Sequence, residues 1–561
     1  MGNRLCLFVS LSLLLAVVCF AEMSTRGEQI RQRFLELRVQ YEKKKAQGYD
    51  LTEVNELIVR FRQARRVKDW QQASELLGLI ENALTEQQQI IKPQDAHPIR
   101  EVDSFGFGIE FARPGLAKVA AQTGADWVKF ALVSWGRIEP TAPNNGRHTY
   151  RWTELDNLVV EYQSAGFRNI QMVVKSKSPW ASRPQTRVSK DFRHVSTPPR
   201  DKHWLDYEDF IFNLVERYDD DGIHDAPGLR APVLYYEIES EVHHRGYWQG
   251  SVEEYERLLQ SAYKAAKRAN AECRIILSGI TLSDIFDDLP SQTLVGKRIE
   301  TLPPRFGYSL NFLKKNLQFQ KYFDVVEFHY LRNYKGIYGT VEWIRNEMRK
   351  NGYIKPIWAG DAIAAPMFDG VMHPPLFSKT EAKEFFRILR DRDHPQHREK
   401  LQWYQAKQAK NLIKKFIVAM EVGLEGMNMG NLIDWPHYNI NMNSWVFQGM
   451  IDGQRRGRPA LHSYKLLRKK LKSVKTIQRI AFRQDIYAYK LTRDTGPLYV
   501  LWSDNETGDI RLPVDGKDFL LTHAITGSEQ DVAKTEKRST RSDTLTVRVT
   551  SIPFFIENQQ K

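Results

Sequence analysis

Three glutamates at alternate positions form the densest group of reactive side chains in the sequence. Glu237, Glu239 and Glu241 lie in the segment Tyr-Tyr-Glu-Ile-Glu-Ser-Glu-Val of residues 235–242. In extended backbone, residues two apart face the same side, so we expect the three carboxylates to share one face of a strand end. Because buried like charges are costly, such a group indicates a polyhydroxylated ligand or a carboxyl kept protonated as a general acid. The alternative is a solvated strand end.

Asp361 is a second candidate for acid-base or nucleophilic chemistry. It ends the run Lys-Pro-Ile-Trp-Ala-Gly-Asp of residues 355–361, which predicts a short buried strand before a long loop. Cleavage of a glycosidic bond needs two carboxyl groups on opposite sides of the sugar. One gives a proton to the leaving oxygen, and the other attacks or activates water. Glu241 and Asp361, at the ends of separate strands, are therefore the predicted pair.

Short apolar strands that alternate with amphipathic helices must position these groups. From about residue 103 this alternation predicts a (β/α)8 TIM barrel over residues 103–470, and hence an α/β fold. Barrel sites lie at the C-terminal strand ends and in the loops that follow, where Glu241 and Asp361 both fall. The eight predicted strands are Phe105–Phe111, Trp127–Leu132, Asn169–Lys175, Val233–Ile238, Arg274–Ser278, Val325–His329, Ile357–Gly360 and Gly426–Met429.

Three further segments flank the predicted barrel. Residues 1–21 combine Arg4 with an apolar run and a small residue, which predicts a signal peptide and export to the periplasm or the extracellular space. No later apolar stretch reaches the length of a transmembrane anchor. Residues 24–92 predict a helical hairpin or bundle that serves packing, self-association or contact with an envelope polymer. Residues 474–561 alternate between apolar runs and turns, which predicts a C-terminal antiparallel β-sandwich.

The motifs at the strand ends resemble those of a known clan of enzymes. Residues 237–242 resemble the strand-four signature E-I-W-N-E-P of the retaining (β/α)8 glycoside hydrolases of clan A, and residues 355–361 resemble its strand-seven K-P-I-W-x-T-E. The resemblance covers most of residues 103–561 and is specific as a set rather than motif by motif. It implies an O-glycosyl hydrolase acting on an oligo- or polysaccharide, with Glu241 as the acid/base and Asp361 at the nucleophile position.

Two residues depart from the pattern of that clan. Ser240 stands where the clan has asparagine, so the hydrogen bond to the 2-hydroxyl of the sugar is shortened or absent. Asp361 stands where the clan has glutamate and is shorter by one methylene. Retaining enzymes hold their carboxyl groups roughly 5–5.5 Å apart and inverting enzymes roughly 6.5–9.5 Å apart. Three alternatives stay open: a retaining enzyme, an inverting enzyme, or an impaired barrel that binds glycan or envelope polymer without hydrolysis.

Several other residues are predicted to contact the sugar. By resemblance, His329 and Tyr330 hold the nucleophile or touch the ligand, and Glu237, Glu239 and Ser240 line the same rim. A lone histidine or tyrosine at a strand end is, however, often a satisfied structural group.

Tryptophan faces and lysines complete the predicted binding site. An indole plane can stack on the axial C–H face of a sugar. Lys175 and Lys177, two residues apart at the end of the third strand, favour an anionic glycan. The candidate tryptophans are Trp135, Trp180, Trp358 and Trp435, of which Trp180 and Trp435 lie in loops beyond predicted strands.

The composition is that of a folded globular protein, with 42% hydrophobic and 27% charged residues. The formal charge of +14 attracts anionic polymers, but no zinc-finger spacing, RNA-recognition signature or phosphate-binding GxxxxGK[ST] motif occurs. We therefore expect no nucleic-acid partner. No cluster of histidine, cysteine and carboxylate has metal-ligand spacing, so we expect no metal or organic cofactor.

Overall fold

The structure is a computed structural model that describes most of the chain in three units. The prediction of a signal peptide in residues 1–21 and the candidate Trp435 lie outside the described residues. Within the described part, no helix is long and apolar enough to cross a bilayer. The described residues are 27–45, 51–85, 97–102, 104–186, 195–282, 284–302, 304–330, 332–366, 379–434, 447–483, 485–505, 509–516, 518–531 and 544–559.

The N-terminal unit contains three helices: α1 over residues 27–45, α2 Thr52–Arg66 and α3 Trp70–Thr85. Their apolar positions recur at helical spacing, and these side chains meet in a core separate from that of the barrel. The rings of Phe34 and Phe61 stack with centroids 4.6 Å apart. The predicted helical module is thus present as a packed bundle, while its role in self-association or envelope contact stays a prediction.

A closed barrel of eight parallel strands forms the centre of the molecule, as the alternation of strands and helices predicts. Each strand pairs with the next, and the last closes onto the first between Gly106 and Gly426. Register shifts near the C-terminal ends of four strand pairs re-aim the side chains at the rim. The strands are β2 Gly106–Glu110, β3 Trp127–Ser134, β4 Asn169–Lys175, β5 Tyr235–Ile238, β6 Arg274–Thr281, β7 Val325–Tyr330, β8 Ile357–Ile363 and β9 Gly426–Gly430.

Helices cover the outside of the barrel. The helix α8 illustrates why they form there: Ser251 and Glu254 make a reciprocal capping box, and Tyr255 and Leu258 begin its buried face. The helices are α4 Ala117–Ala121, α5 Trp135–Ile138, α6 Thr153–Ser164, α7 Trp204–Glu216, α8 Val252–Ala269, α9 Gln292–Glu300, α10 Pro304–Asn316, α11 Gly336–Lys350, α12 Lys379–Arg390, α13 His397–Glu421 and α14 Pro459–Lys470.

The C-terminal strands form a seven-stranded antiparallel sheet and a two-stranded one, in agreement with the predicted sandwich. One face of the large sheet, with Tyr487 and Trp502, joins the barrel core, while Ile486 and Leu501 face the second core. The short strand β1 Arg100–Glu101 pairs with β10, so the segment before the barrel belongs to this sheet. The remaining strands are β10 Val474–Ile480, β11 Ile486–Arg493, β12 Leu498–Ser503, β13 Asp509–Pro513, β14 Phe519–His523, β15 Glu529–Asp531, β16 Thr544–Arg548 and β17 Phe554–Asn558.

Candidate active site

The inside of the barrel changes from apolar to charged along the strands. Near their N-terminal ends, Trp127, Tyr235 and Trp358 pack together with ring centroids 4.3–5.2 Å apart. Two residues further along β3, the ammonium of Lys129 lies 2.6 Å from Glu327 Oε1 and 2.8 Å from Glu237 Oε2. A buried cation thus holds two buried carboxylates directly above an aromatic floor.

Amide groups complete this charged layer. Gln171 donates to Glu327 Oε2 at 2.6 Å, and Asn428 donates in turn to Gln171 Oε1 at 2.9 Å. Gly360 makes room for Glu327, because a Cβ at this position would lie 1.8 Å from the carboxyl carbon of Glu327. The layer is therefore a fixed network in which charge is balanced by neighbours rather than by water.

The two carboxylates on Lys129 titrate in opposite directions. Burial raises the pKa of Glu237 to about 7, with a further rise from Glu327 that Lys129 only partly offsets. Burial also raises the pKa of Glu327, but Lys129 and His329 outweigh that effect and hold it at about 2. The network therefore favours the ionised form of Glu327 and the protonated form of Glu237.

The expectation of one shared carboxylate face at residues 237–241 is wrong. The strand β5 ends at Ile238, and both Glu239 and Glu241 have left-handed backbone, with φ of 62° and 48°. Extended alternation therefore stops after Glu237, and the three side chains point to different partners.

Glu239 is committed to contacts within the protein. Its carboxylate accepts hydrogen bonds from the backbone N–H of Ser176 at 2.7 Å and from the Ser176 hydroxyl at 2.8 Å, and it forms an ion pair with Lys175. Glu239 is fully buried, and Lys175 is 2% exposed. In this arrangement the predicted sugar contacts of Glu239 and Lys175 are replaced by a bond between them.

Glu241 lies at the mouth of the barrel with 17% of its side chain exposed. Its Oε1 accepts two hydrogen bonds, from Thr281 Oγ1 at 2.6 Å and from His329 Nδ1 at 2.9 Å. Burial alone would raise the pKa of Glu241, but the hydrogen bond and charge of His329 reverse the effect and lower it to about 2. Glu241 is therefore held as a carboxylate.

His329 connects the mouth of the barrel to the charged layer. Its Nε2 lies 3.4 Å from Glu327 Oε1, so the imidazole stands between two carboxylates. Burial lowers the pKa of His329, but hydrogen bonds to Glu241 and Glu327 dominate and raise it to about 10. Gly279 packs against the ring, where a Cβ would lie 2.2 Å from Nε2. His329 is therefore an imidazolium at neutral pH.

Asp361 lies on the other side of the mouth, in β8. It is the register partner of His329, just after a shift in the pairing of β7 and β8. Its Oδ1 and Glu110 Oε2 both approach Gly430, at 3.3 and 3.0 Å from the position of a Cβ on that glycine. Burial and then Asp361 raise the pKa of Glu110 well above its usual value.

The remaining predicted residues take several positions. Trp135 is fully buried and Trp358 belongs to the aromatic floor, so neither ring is open to a sugar. Trp180 is half-buried in the loop after β4 and donates to the carbonyl of Glu139 at 2.8 Å. Tyr330 is 2% exposed and donates to the Asn333 carbonyl at 2.7 Å.

Lys177 and Ser240 remain at the rim. Both are half-buried in loops that follow barrel strands, Lys177 after β4 and Ser240 after β5. Burial, and to a lesser extent Lys175, lower the pKa of Lys177. Contact of these two residues with a ligand stays a prediction.

Most residues of the charged layer were not predicted from the sequence. The missed residues share one signal: each is a polar side chain within a strand whose other residues are mainly apolar or small. In a strand of a closed barrel, such a residue faces the interior and needs a partner on another strand. The missed residues are Glu110, Lys129, Gln171, Glu327 and Asn428.

Comparison with known proteins identifies the fold. No protein-family model and no curated protein matches this sequence. A family 39 glycoside hydrolase from the gut symbiont Bacteroides cellulosilyticus WH2 superposes with a TM-score of 0.51 and 12% identity, over 84% of this chain and 85% of that one. A glucosidase from Croceicoccus marinus gives 0.50 and 13%, over 84% and 99%. A GH39 β-xylosidase from Caulobacter crescentus gives 0.50 and 12%, over 84% and 100%. The chain thus has the architecture of these barrels.

Proposed function

We propose that this chain is a glycoside hydrolase that cleaves O-glycosidic bonds of an oligo- or polysaccharide, with Glu241 and Asp361 as its reacting carboxyl groups. One observation carries the proposal. His329 hydrogen-bonds to Glu241 at 2.9 Å, and its backbone pairs with that of Asp361 in the next strand, which supports the choice of these two carboxyl groups. Two carboxyl groups across one cleft are what glycosidic cleavage needs.

The structural neighbours support the same class of reaction. Three structural neighbours with TM-scores of 0.50 or more are named as a family 39 glycoside hydrolase, a glucosidase and a β-xylosidase. Those names belong to those proteins, and they support glycosidic cleavage here without selecting a sugar. The resemblance of residues 237–242 and 355–361 to the clan A motifs adds the retaining route, with Glu241 as the acid/base and Asp361 as the nucleophile.

The hypothesis that the substrate is anionic is supported by fewer residues in the structure than in the sequence. Lys175 is neutralised by Glu239, so Lys177 alone of the predicted lysine pair stands at the rim. We expect Lys177→Ala to weaken the binding of a uronic-acid oligosaccharide about tenfold and that of a neutral one hardly at all, measured by calorimetry. Equal loss for both ligands would remove the anionic-glycan hypothesis.

The proposed hydrolysis is tested on a panel of aryl glycosides and polysaccharides, with release of the aryl group or of reducing ends as the readout. We expect Glu241→Gln and Asp361→Asn each to lower kcat/KM for the best substrate at least 10³-fold. Glu272→Gln, a change at an exposed position outside the barrel mouth, is the matched control and is expected to leave the rate unchanged. Rates of both variants equal to the wild type would contradict the proposal.

The second candidate function is a barrel that binds glycan or envelope polymer without cleaving it. The observation that favours it is that Glu241 Oε1 accepts two hydrogen bonds, since two donors to a carboxyl group favour its ionised form over the protonated form that a leaving oxygen needs. Calorimetry with the same polysaccharides separates the two functions. Binding to the wild-type protein without any hydrolysis on the panel would favour the binding function.

A further inference from the structure

The loop between α7 and β5 concentrates negative charge in a chain that is otherwise basic. Residues 216–225 read Glu-Arg-Tyr-Asp-Asp-Asp-Gly-Ile-His-Asp, with five carboxyl groups and one arginine, whereas the whole chain has a formal charge of +14. That arginine, Arg217, forms an ion pair at 2.6 Å with Asp156 of α6, outside this segment. Its charge is therefore directed to a carboxylate other than the five.

This loop lies at the end of the barrel opposite to the candidate active site, because it precedes a strand instead of following one. In (β/α)8 barrels this face serves stability, whereas the other face carries the chemistry. Two backbone hydrogen bonds close the loop: Ala226 donates to the carbonyl of Arg217 at 2.9 Å, and Val233 donates to that of Tyr218 at 2.7 Å. The carboxylates between them are thus held on a closed segment.

Three carboxylates of the loop converge. Asp219, Asp221 and Asp225 each offer an oxygen, and these oxygens lie within 4.8 Å of one another. Backbone N–H groups orient two of them: Gly222 donates to Asp225 Oδ2 at 2.7 Å, and Ile223 donates to Asp221 Oδ1 at 2.8 Å. A carboxylate has about four lone-pair positions, so these bonds position the groups and leave acceptor positions open.

Asp219 supplies an independent observation that points to a ligand. Its side chain is 9% exposed, and its Oδ1 is buried without a hydrogen-bond partner in the described part of the chain. A buried polar atom without a partner is costly. Asp221 and Asp225, the other members of the group, are acceptors and supply no proton to it when ionised. A cation bound by all three carboxylates would satisfy the buried oxygen and offset their mutual repulsion.

We propose that Asp219, Asp221 and Asp225 bind one Ca²⁺ ion within the loop that joins α7 to β5. All three ligands are oxygens, which Ca²⁺ prefers and zinc does not. Ca²⁺ accepts six to eight oxygens at about 2.3–2.6 Å in flexible geometry, so two of its ligands lie at most about 5 Å apart. Asp221 is exposed, so water can complete the shell. This inference goes beyond the proposed hydrolysis and departs from the expectation of no metal.

Calorimetry tests the site on the whole protein, freed of metal with a chelator and titrated with calcium chloride at constant ionic strength. We expect one ion per chain with a Kd of about 10⁻⁴–10⁻³ M, and binding of Mg²⁺ at least about tenfold weaker. Asp219→Asn should weaken Ca²⁺ binding at least about tenfold. Asp221→Asn, at an exposed position, should do the same without disturbing the buried carboxylate.

Asp220→Asn is the matched control, because it removes a charge from an exposed position of the same loop that lies outside the group of three. We expect its Kd to stay within about twofold of the wild type, since its side chain is not a ligand. No binding to the wild type at up to about 10 mM Ca²⁺, which exceeds the weakest expected Kd, would overturn the proposal. Equal weakening by Asp220→Asn and Asp219→Asn would also overturn it, because it would indicate attraction by general charge.

Hydrogen exchange measured by mass spectrometry tests the location of the ion. Saturating Ca²⁺ should slow amide exchange in peptides that cover residues 217–226 of the wild type and of Asp220→Asn, but not of Asp219→Asn. Ca²⁺ should also raise the Tm of the first two proteins more than that of the third. Protection confined to other parts of the chain would overturn the assignment even if calcium binds. Neither measurement uses a substrate, so both outcomes are independent of whether the protein hydrolyses glycosides.

Discussion

The two sides of the barrel mouth have the same functional group and opposite surroundings. Glu241 receives a hydroxyl and an imidazolium from β6 and β7, so the protein stabilises its negative charge. Glu110 Oε2 and Asp361 Oδ1 are buried, and no residue in the described part of the chain donates a hydrogen bond to either oxygen, while burial and then Asp361 raise the pKa of Glu110 well above its usual value. The difference teaches that the proton on a carboxyl group is determined by the neighbouring strands and not by the residue type.

The largest expected effect is a loss of stability when Lys129, the buried cation beneath the barrel mouth, is removed. Lys129→Met leaves Glu237 and Glu327 buried without their ammonium partner. We expect the free energy of unfolding to fall by about 3–5 kcal/mol, the range for a broken buried ion pair. Urea denaturation followed by circular dichroism measures it. Lys264→Met, at an exposed position of α8, is the matched control, and an equal, small effect of both variants would show that the charged layer is not held by Lys129.

The next effect is a pH dependence from the Asp361 side. Burial and then Asp361 raise the pKa of Glu110 in the folded state above the usual 4.5. At a pH between the pKa of the unfolded state and that of the folded state, Glu110 therefore keeps a proton in the folded protein that it loses in the unfolded chain. Stability from this group is therefore present below pH 4.5 and falls as pH rises, by at most about 1.4 kcal/mol per pH unit. Glu110→Gln should become progressively more stable than the wild type between pH 5 and 8.

The difference in unfolding free energy between Glu110→Gln and the wild type reports the contribution of Glu110, because Glu237 and His329 titrate in both proteins. Urea denaturation at each pH gives the two stability curves. Glu272→Gln, the exposed control, should run parallel to the wild type. A gap between Glu110→Gln and the wild type that does not change with pH would show that Glu110 is ionised in the folded protein.

On the Glu241 side, His329→Gln keeps a polar side chain and removes the positive charge. His329 is the group that lowers the pKa of Glu241 to about 2, so we expect that pKa to rise by about one to two units in the variant. Titration of carbon-13-labelled glutamate carboxyl groups by NMR measures it, with Glu241→Gln identifying the resonance. An unchanged pKa would mean that Thr281 or the backbone, rather than the imidazolium, stabilises the carboxylate.

The smallest effect comes from the second donor to the same oxygen. Thr281→Val removes a 2.6 Å hydrogen bond to Glu241 Oε1 and keeps the shape of the side chain. A hydrogen bond to a charged group contributes about 1.5–3 kcal/mol, and His329 remains to compensate, so we expect the pKa of Glu241 to rise by about one unit or less. The same NMR titration checks this value. A larger rise than in His329→Gln would reverse the order of the two donors.

Much of the fold could be predicted from the order of residues along the chain. Strand and helix periodicities are local properties, and the eight predicted strands all occur, although bulges lengthen or shift several ends. Glu241 follows β5, as the local pattern predicts, whereas Asp361, predicted to follow a strand that ends at Gly360, lies within β8. Their assignment as the reacting pair is a prediction that the proposed experiments test.

The sequence by itself therefore determined the architecture, because hydrophobic periodicity specifies which residues form strands and helices and which faces they bury. Only the tertiary structure decided which side chains meet. In the tertiary structure Glu239 forms an ion pair with Lys175, Trp135 is buried, and Asp361 lies close enough to Glu110 to raise its pKa. Such contacts join residues up to hundreds of positions apart, and burial together with the nearest donor or charge governs their protonation. These are properties of a position in space, which no local pattern of residues contains.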